Sequence, residues 1–155
     1  MSGGYSIPIA WPVRQLLPHS GPMVLLDRAT DAGPDWAAAE VRIAEDTLFF
    51  ERGRGVPAWI GIEYMAQTVA MFAGLAARRA GRAVPIGLLV GTRRYEATRP
   101  YFPLASLLTV RVQEEVVDGP LGVFDCTIAD GALVARARLN VYVPPDQSQI
   151  HSVQP

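Results

Sequence analysis

The residues best suited to chemistry are Glu63 and Gln67, which interrupt the apolar run WIGIEYMAQTVAMFAGLAA at 59–77. A carboxylate buried without a partner loses many kcal/mol of hydration, so a sequence that sets one among Ile, Met, Val and Phe must compensate it. Four residues apart on a helix, the Glu63 carboxyl and the Gln67 amide are spaced to hydrogen-bond. Gln67 can then orient the carboxyl, and an apolar pocket can keep it protonated. A neutral carboxylic acid held against a substrate is a general acid. The structural alternative is a buried Glu paired with an arginine across an interface, and spacing alone does not separate the two.

A base to match that acid is scarce. The chain has two histidines, His19 in the turn HSGP and His151 in an aperiodic tail where it is a poor candidate. His19 is either a base or a turn residue bonded to nearby backbone. The single Cys126 excludes an internal disulfide framework and a cysteine-rich zinc site, and on a strand it reads as a small buried hydrophobe.

The element that must position Glu63 is a long helix over about 57–80, with Gly81 as its C-cap. At about 100° per residue, Glu63, Gln67, Ala70 and Gly74 share one stripe and Met65, Val69, Phe72 and Ala76 the opposite one. The bulky face suits packing into a curved sheet. The small residues leave room for a partner helix or strand, or for an acyl chain. Around this helix the sequence places a short helix from Pro12 to Leu17. Strands are expected at 22–30, 35–43, 85–97, 107–117, 121–130 and 132–143, several joined by Gly-containing turns. One helix among hairpin-linked strands is an α+β pattern, an antiparallel sheet around a single buried helix. The chain is 155 residues long, which suits one domain, here 1–144, with 145–155 as a flexible tail.

A net charge of -1 gives no overall basic field for nucleic acid, so an anionic partner must be met by a local arginine cluster. MSGGYSIPIAW lacks a basic start followed by an apolar core, so it does not read as a secretory signal and the cytoplasm is the default. Residues 58–77 are long enough to span a bilayer and are followed by Arg78 and Arg79. Against an anchor, Glu63, Gln67 and Thr68 fall where polar groups cost most, and a fully buried soluble helix is also apolar on all sides.

LLPHSGPMVLLDRA (16–29), FF (49–50), PAWIGIEYMAQ (57–67) and TRPYFP (98–103), in that order, resemble the hot-dog-fold 3-hydroxyacyl-[acyl-carrier-protein] dehydratases. They are most similar to the divergent branch found in aryl polyene and polyketide clusters. The resemblance runs from Leu16 to about Pro103 and weakens beyond. It implies a long central helix wrapped by an antiparallel sheet, pairing of two such domains with sites between them, and the catalytic acid at Glu63 with Gln67 one turn later. It also implies dehydration of a 3-hydroxyacyl thioester carried on phosphopantetheine, with no metal or redox cofactor.

One departure concerns the base. The family carries Gly-His-Phe-Pro between the Phe pair and the helix, and its His removes the C2 proton; here that loop is ERGRGV, shorter and without His. Either His19 has moved into the base position, or a partner subunit brings the histidine, or Arg52 or Arg54 orients a thioester or phosphate while water or Glu63 moves protons. An arginine is itself a poor base because it stays protonated. Arg93, Arg94 and Arg99 are further candidates for binding the carrier or its phosphate. Arg78, Arg79 and Arg82 read as a solvated face complementing the helix dipole. Two rivals remain: a hot-dog thioesterase, which would release free acid, and a non-enzymatic acyl-binding subunit.

Overall fold

The computed structural model describes residues 5–147. Eight strands surround one long helix. β1 is Arg28–Ala32, β2 Trp36–Arg42 and β3 Val56–Pro57, followed by the helix α1, Gly61–Arg79. Then come β4 Leu88–Ala97, β5 Tyr101–Phe102, β6 Leu107–Asp118, β7 Leu121–Asp130 and β8 Ala132–Tyr142. Six strands form one sheet in the order β1-β2-β6-β7-β8-β4, every neighbouring pair antiparallel, and β3 pairs with β5 separately.

The sheet's alternation decides what faces the helix. Along β8, Ala135, Ala137 and Leu139 are buried and Arg136 and Arg138 exposed; Leu108, Val110 and Val112 of β6 alternate with exposed residues in the same way. The inner residues close on Tyr64, Met65, Val69 and Met71 of α1, forming one apolar core. Ala58–Arg79 is long and apolar enough to cross a membrane, yet 61% of that window is buried inside the protein. Wrapping by the sheet accounts for its apolar character.

Glycines set the two ends of the helix. At the start, a Cβ on Gly61 would lie 2.3 Å from the Tyr95 hydroxyl, which donates to the Ala58 carbonyl. At the end, Gly81 takes a φ of 69° and Arg82 N–H bonds the Ala77 carbonyl at 2.8 Å, a left-handed cap that stops the helix.

Several expectations change. The strand expected at 22–30 is regular only from Arg28; before it, Gly21–Met23 is a 3-10 turn and 24–27 an extended strap. The helix expected from Pro12 to Leu17 is a single 3-10 turn, Val13–Gln15. The α-helix begins at Gly61, after a 3-10 turn at Ala58–Ile60. Ala76, assigned to the bulky buried face, is exposed. On the small face, a Cβ at Gly74 would sit 1.8 Å from the Leu16 carbonyl oxygen, so what approaches there is the chain's own N-terminal turn. Gln147 accepts from Ile86 N–H at 2.8 Å and donates to the Pro144 carbonyl at 2.7 Å, tying the start of the tail to the body. His151 lies outside the described residues.

Candidate functional site

Glu63 stands in the first turn of α1, and the stretch leading into the Gly21–Met23 turn and its strap brings His19 against it: His19 Nε2 is 3.8 Å from Glu63 Oε1. That separation exceeds a hydrogen bond, which leaves the two groups adjacent and unengaged with each other. The expectation of a fully buried Glu63 needs correction, because in the single chain its side chain is 42% exposed.

Gln67 is what holds strap to helix. Fully buried, it donates through Nε2 to the Met23 carbonyl at 2.7 Å and to Glu63 Oε1 at 3.2 Å, and its Oε1 accepts from Leu25 N–H at 2.9 Å. The spacing of Glu63 and Gln67 is therefore realised as a hydrogen bond. The same amide satisfies two strap backbone groups that no strand reaches.

His19 is not the backbone-bonded turn residue of the alternative reading. Its Nδ1 is buried and, among the described residues, has no hydrogen-bond partner. Its other edge faces a cavity of about 140 Å³. That cavity is walled by Ala66, Ala70 and Ala73 on the helix and by Leu89, Val141 and Val143 on the sheet side, with Glu63 and His19 in its lining. An apolar slot with an acid and an imidazole suits an acyl chain whose reacting carbons lie beside the polar pair.

The sequence offered a signal for part of this wall: Ala66, Ala70 and Ala73 recur at one-turn spacing. It offered none for Leu89, Val141 and Val143, which converge from distant strands. Tyr64 was also missed. It is 1% exposed, its hydroxyl has no partner among the described residues, and burial above all, with Asp27 and Tyr95 adding, raises its pKa above the usual phenol value.

None of the five arginines singled out in the sequence lines this cavity. Arg54 donates to the Tyr101 hydroxyl at 3.2 Å, which with the nearby Glu51 carboxylate favours its charged form, and Arg52 lies exposed in the same turn. Arg99 pairs with Asp130 at 3.2 Å. Arg93 and Arg94 lie with Arg136 and Arg138 in a hollow on the sheet's outer face, away from the helix. Cys126 is buried behind that hollow; burial first, then the charge of Asp125, pushes its thiol up to about 12. Among the described residues no group of His, Cys, Asp and Glu could hold a metal ion.

Several solved structures share this architecture. PaaI from the phenylacetic acid degradation operon of E. coli is similar at 13% identity and a TM-score of 0.60, over 77% of this chain and 80% of its own. Zebra fish thioesterase superfamily member 2 is similar at 13% identity and a TM-score of 0.63, over 84% and 91%. At such identities the likeness establishes the hot-dog fold. The dehydratase heterocomplex ApeI:P from Xenorhabdus doucetiae is similar at 27% identity and a TM-score of 0.85, over 95% of this chain and 100% of its own. No match was found among curated protein sequences. The sequence pattern of the ApeP-like family, described as ApeP dehydratase, matches residues 11–152. That span takes in the stretch carrying His19, the helix of Glu63 and the hairpins where the motif resemblance weakened, and with it this hot-dog chain belongs to the ApeP-like dehydratase family.

Proposed function

We propose that this chain dehydrates a 3-hydroxyacyl thioester, carried on a phosphopantetheine arm, to the trans-2-enoyl thioester, and that it does so paired with another hot-dog subunit in aryl polyene-type biosynthesis. The observation carrying this reading is the His19–Glu63 pair, 3.8 Å apart at an apolar slot. The thioester makes the C2 proton acidic, and neutral His19 takes it on Nε2. As the C2–C3 double bond forms, the C3–oxygen bond breaks and Glu63 protonates the leaving hydroxyl, which departs as water. His19 then carries the proton that Glu63 lost, so a single transfer across the gap, through one water, resets both groups. We assign polarisation of the thioester carbonyl to backbone amides near the start of the central helix other than that of Gly61, which already bonds the Ala58 and Trp59 carbonyls. Gln67 positions Glu63. Arg52 and Arg54, on the turn before the helix, are the arginines we assign to the phosphate of the arm.

A second reading, in which a partner brings the base, draws on a different observation. Among the described residues His19 Nδ1 lacks the carbonyl or carboxylate that would fix its tautomer, and the similar Xenorhabdus protein is a heterocomplex. The test is to incubate the protein, alone and with a hot-dog subunit encoded beside it, with a 3-hydroxyacyl carrier protein and to follow the acyl mass. Loss of one water by the chain alone supports His19 as base, loss only in the mixture supports the second reading, and free acid or an unchanged mass in both overturns dehydration.

A further inference from the structure

Among the described residues the edge strand β4 has one neighbour, β8, and along its ten residues every position except Gly91 and Tyr95 is exposed. An open edge of that length is a template for a further strand, and proteins either cover it or guard it. β4 is guarded selectively. Its first part, Leu88, Leu89 and Val90, is exposed and apolar. Its middle carries Arg93 and Arg94, and a bulge between Arg93 and Glu96, with Arg94 at a φ of 55°, places both arginines on the outer face. Regular alternation would send the second inward. The bulge sends Tyr95 inward instead, to the Ala58 carbonyl.

Around those two residues the outer face holds Arg136 and Arg138, but each of these has a carboxylate at hand: Arg138 engages Asp125 at 2.9 Å with Glu115 nearby, and Arg136 stands opposite Glu96 in the ladder. Neither Arg93 nor Arg94 has an ion-pair partner among the described residues. Suppose β4 met its own copy. Residues opposite one another in an antiparallel ladder share a face, so pairing near the strand's midpoint sets Arg93 opposite either Arg93 or Gly91 of the second copy. Arg93 and Arg94 of each chain, four guanidiniums without an ion-pair partner among the described residues, would then crowd the two-fold axis. Like charges placed together across an interface cost several kcal/mol, which is how interfaces reject wrong partners.

We infer that β4 is a charge-coded edge that disfavours self-pairing and accepts the edge strand of a different subunit, one presenting carboxylates opposite Arg93 and Arg94 and apolar side chains opposite Leu88 and Val90. The inference rests on the reading above that the partner is a second hot-dog subunit, and it reassigns Arg93 and Arg94 from carrier binding to partner choice.

The test reads mass in solution and needs no turnover, so it stands or falls separately from dehydration. By sedimentation velocity, the full chain at low salt is expected to be monomeric and to self-associate more tightly near about 1 M salt, where the screening length falls to about 3 Å. A low-salt homodimer that salt leaves unchanged would overturn the inference, and this arm involves no substitution. In the second arm the chain is mixed with its own Arg93→Glu/Arg94→Glu form. A mixed dimer about tenfold or more tighter than either homodimer, and weakened by salt, is expected. A mixture no tighter than the parent chains would overturn the inference as well.

Discussion

His19 Nε2 lies 3.8 Å from Glu63 Oε1, and both groups look into the same slot. An acid and a base that close together reach a C2 proton and a C3 hydroxyl only when both project to the same side of the chain. Elimination by this pair is therefore expected to be syn. A 3-hydroxyacyl thioester deuterated stereospecifically at C2 reports it by mass, and an anti outcome would remove His19 from the role of base.

Glu63→Gln keeps the shape and the contact with Gln67 but can no longer give a proton. Turnover should fall by about 10²-fold or more, the usual contribution of a general acid. Because Glu63 is partly exposed, the urea midpoint should move by no more than about 0.5 kcal/mol equivalent. Unchanged turnover would sink the assignment.

Gln67 acts on stability as well as on the site. Gln67→Leu fills the space but strands the Met23 carbonyl and the Leu25 N–H, which this amide serves at 2.7 and 2.9 Å. Both bonds are part-buried, so leaving these groups unpaired costs at the low end of about 1–3 kcal/mol each, about 2–3 kcal/mol for the two together. Urea denaturation should show a loss in that range, and a midpoint equal to that of the parent would mean that the strap finds other partners.

The pH dependence of stability follows from two groups held neutral by burial. Cys126 is pushed from 9.0 to about 12, and Tyr95 from 10.0 to about 12. In the unfolded chain both lose protons earlier, so the native state binds more protons than the unfolded state at alkaline pH. Their stabilisation is complete below pH 9 and is lost as pH climbs from there through 12. The urea midpoint should be lower at pH 10.5 than at pH 7.5; a flat profile would contradict the burial of these groups.

What was legible in the sequence was local or periodic. The one-turn spacing of Glu63 and Gln67, the cap at Gly81 and the hairpin turns at Gly119 and Gly131, both at positive φ, depend on near neighbours. What was not legible depends on partners far away. Residues 22–27 alternate like a strand, but their hydrogen bonds go to Gln67, and only the fold reveals that. The β3–β5 ladder joins two residues to two, too few for any pattern to register. Ala76 and the half-open Glu63 were misjudged for one reason: a uniformly apolar helix says that it is wrapped, not where the wrapping ends.

The turn that stands in place of the family's histidine loop closes on itself within five residues. Glu51 and Gly55 are bridged, and Gly55, at a φ of 115°, lies so close to the Phe102 carbonyl that a Cβ would come within 2.1 Å. Retrofitting a histidine there is consequently not a point substitution. An engineer would have to lengthen the turn, and in doing so would peel Gly55 from β5 and unseat the short ladder from which the central helix is launched.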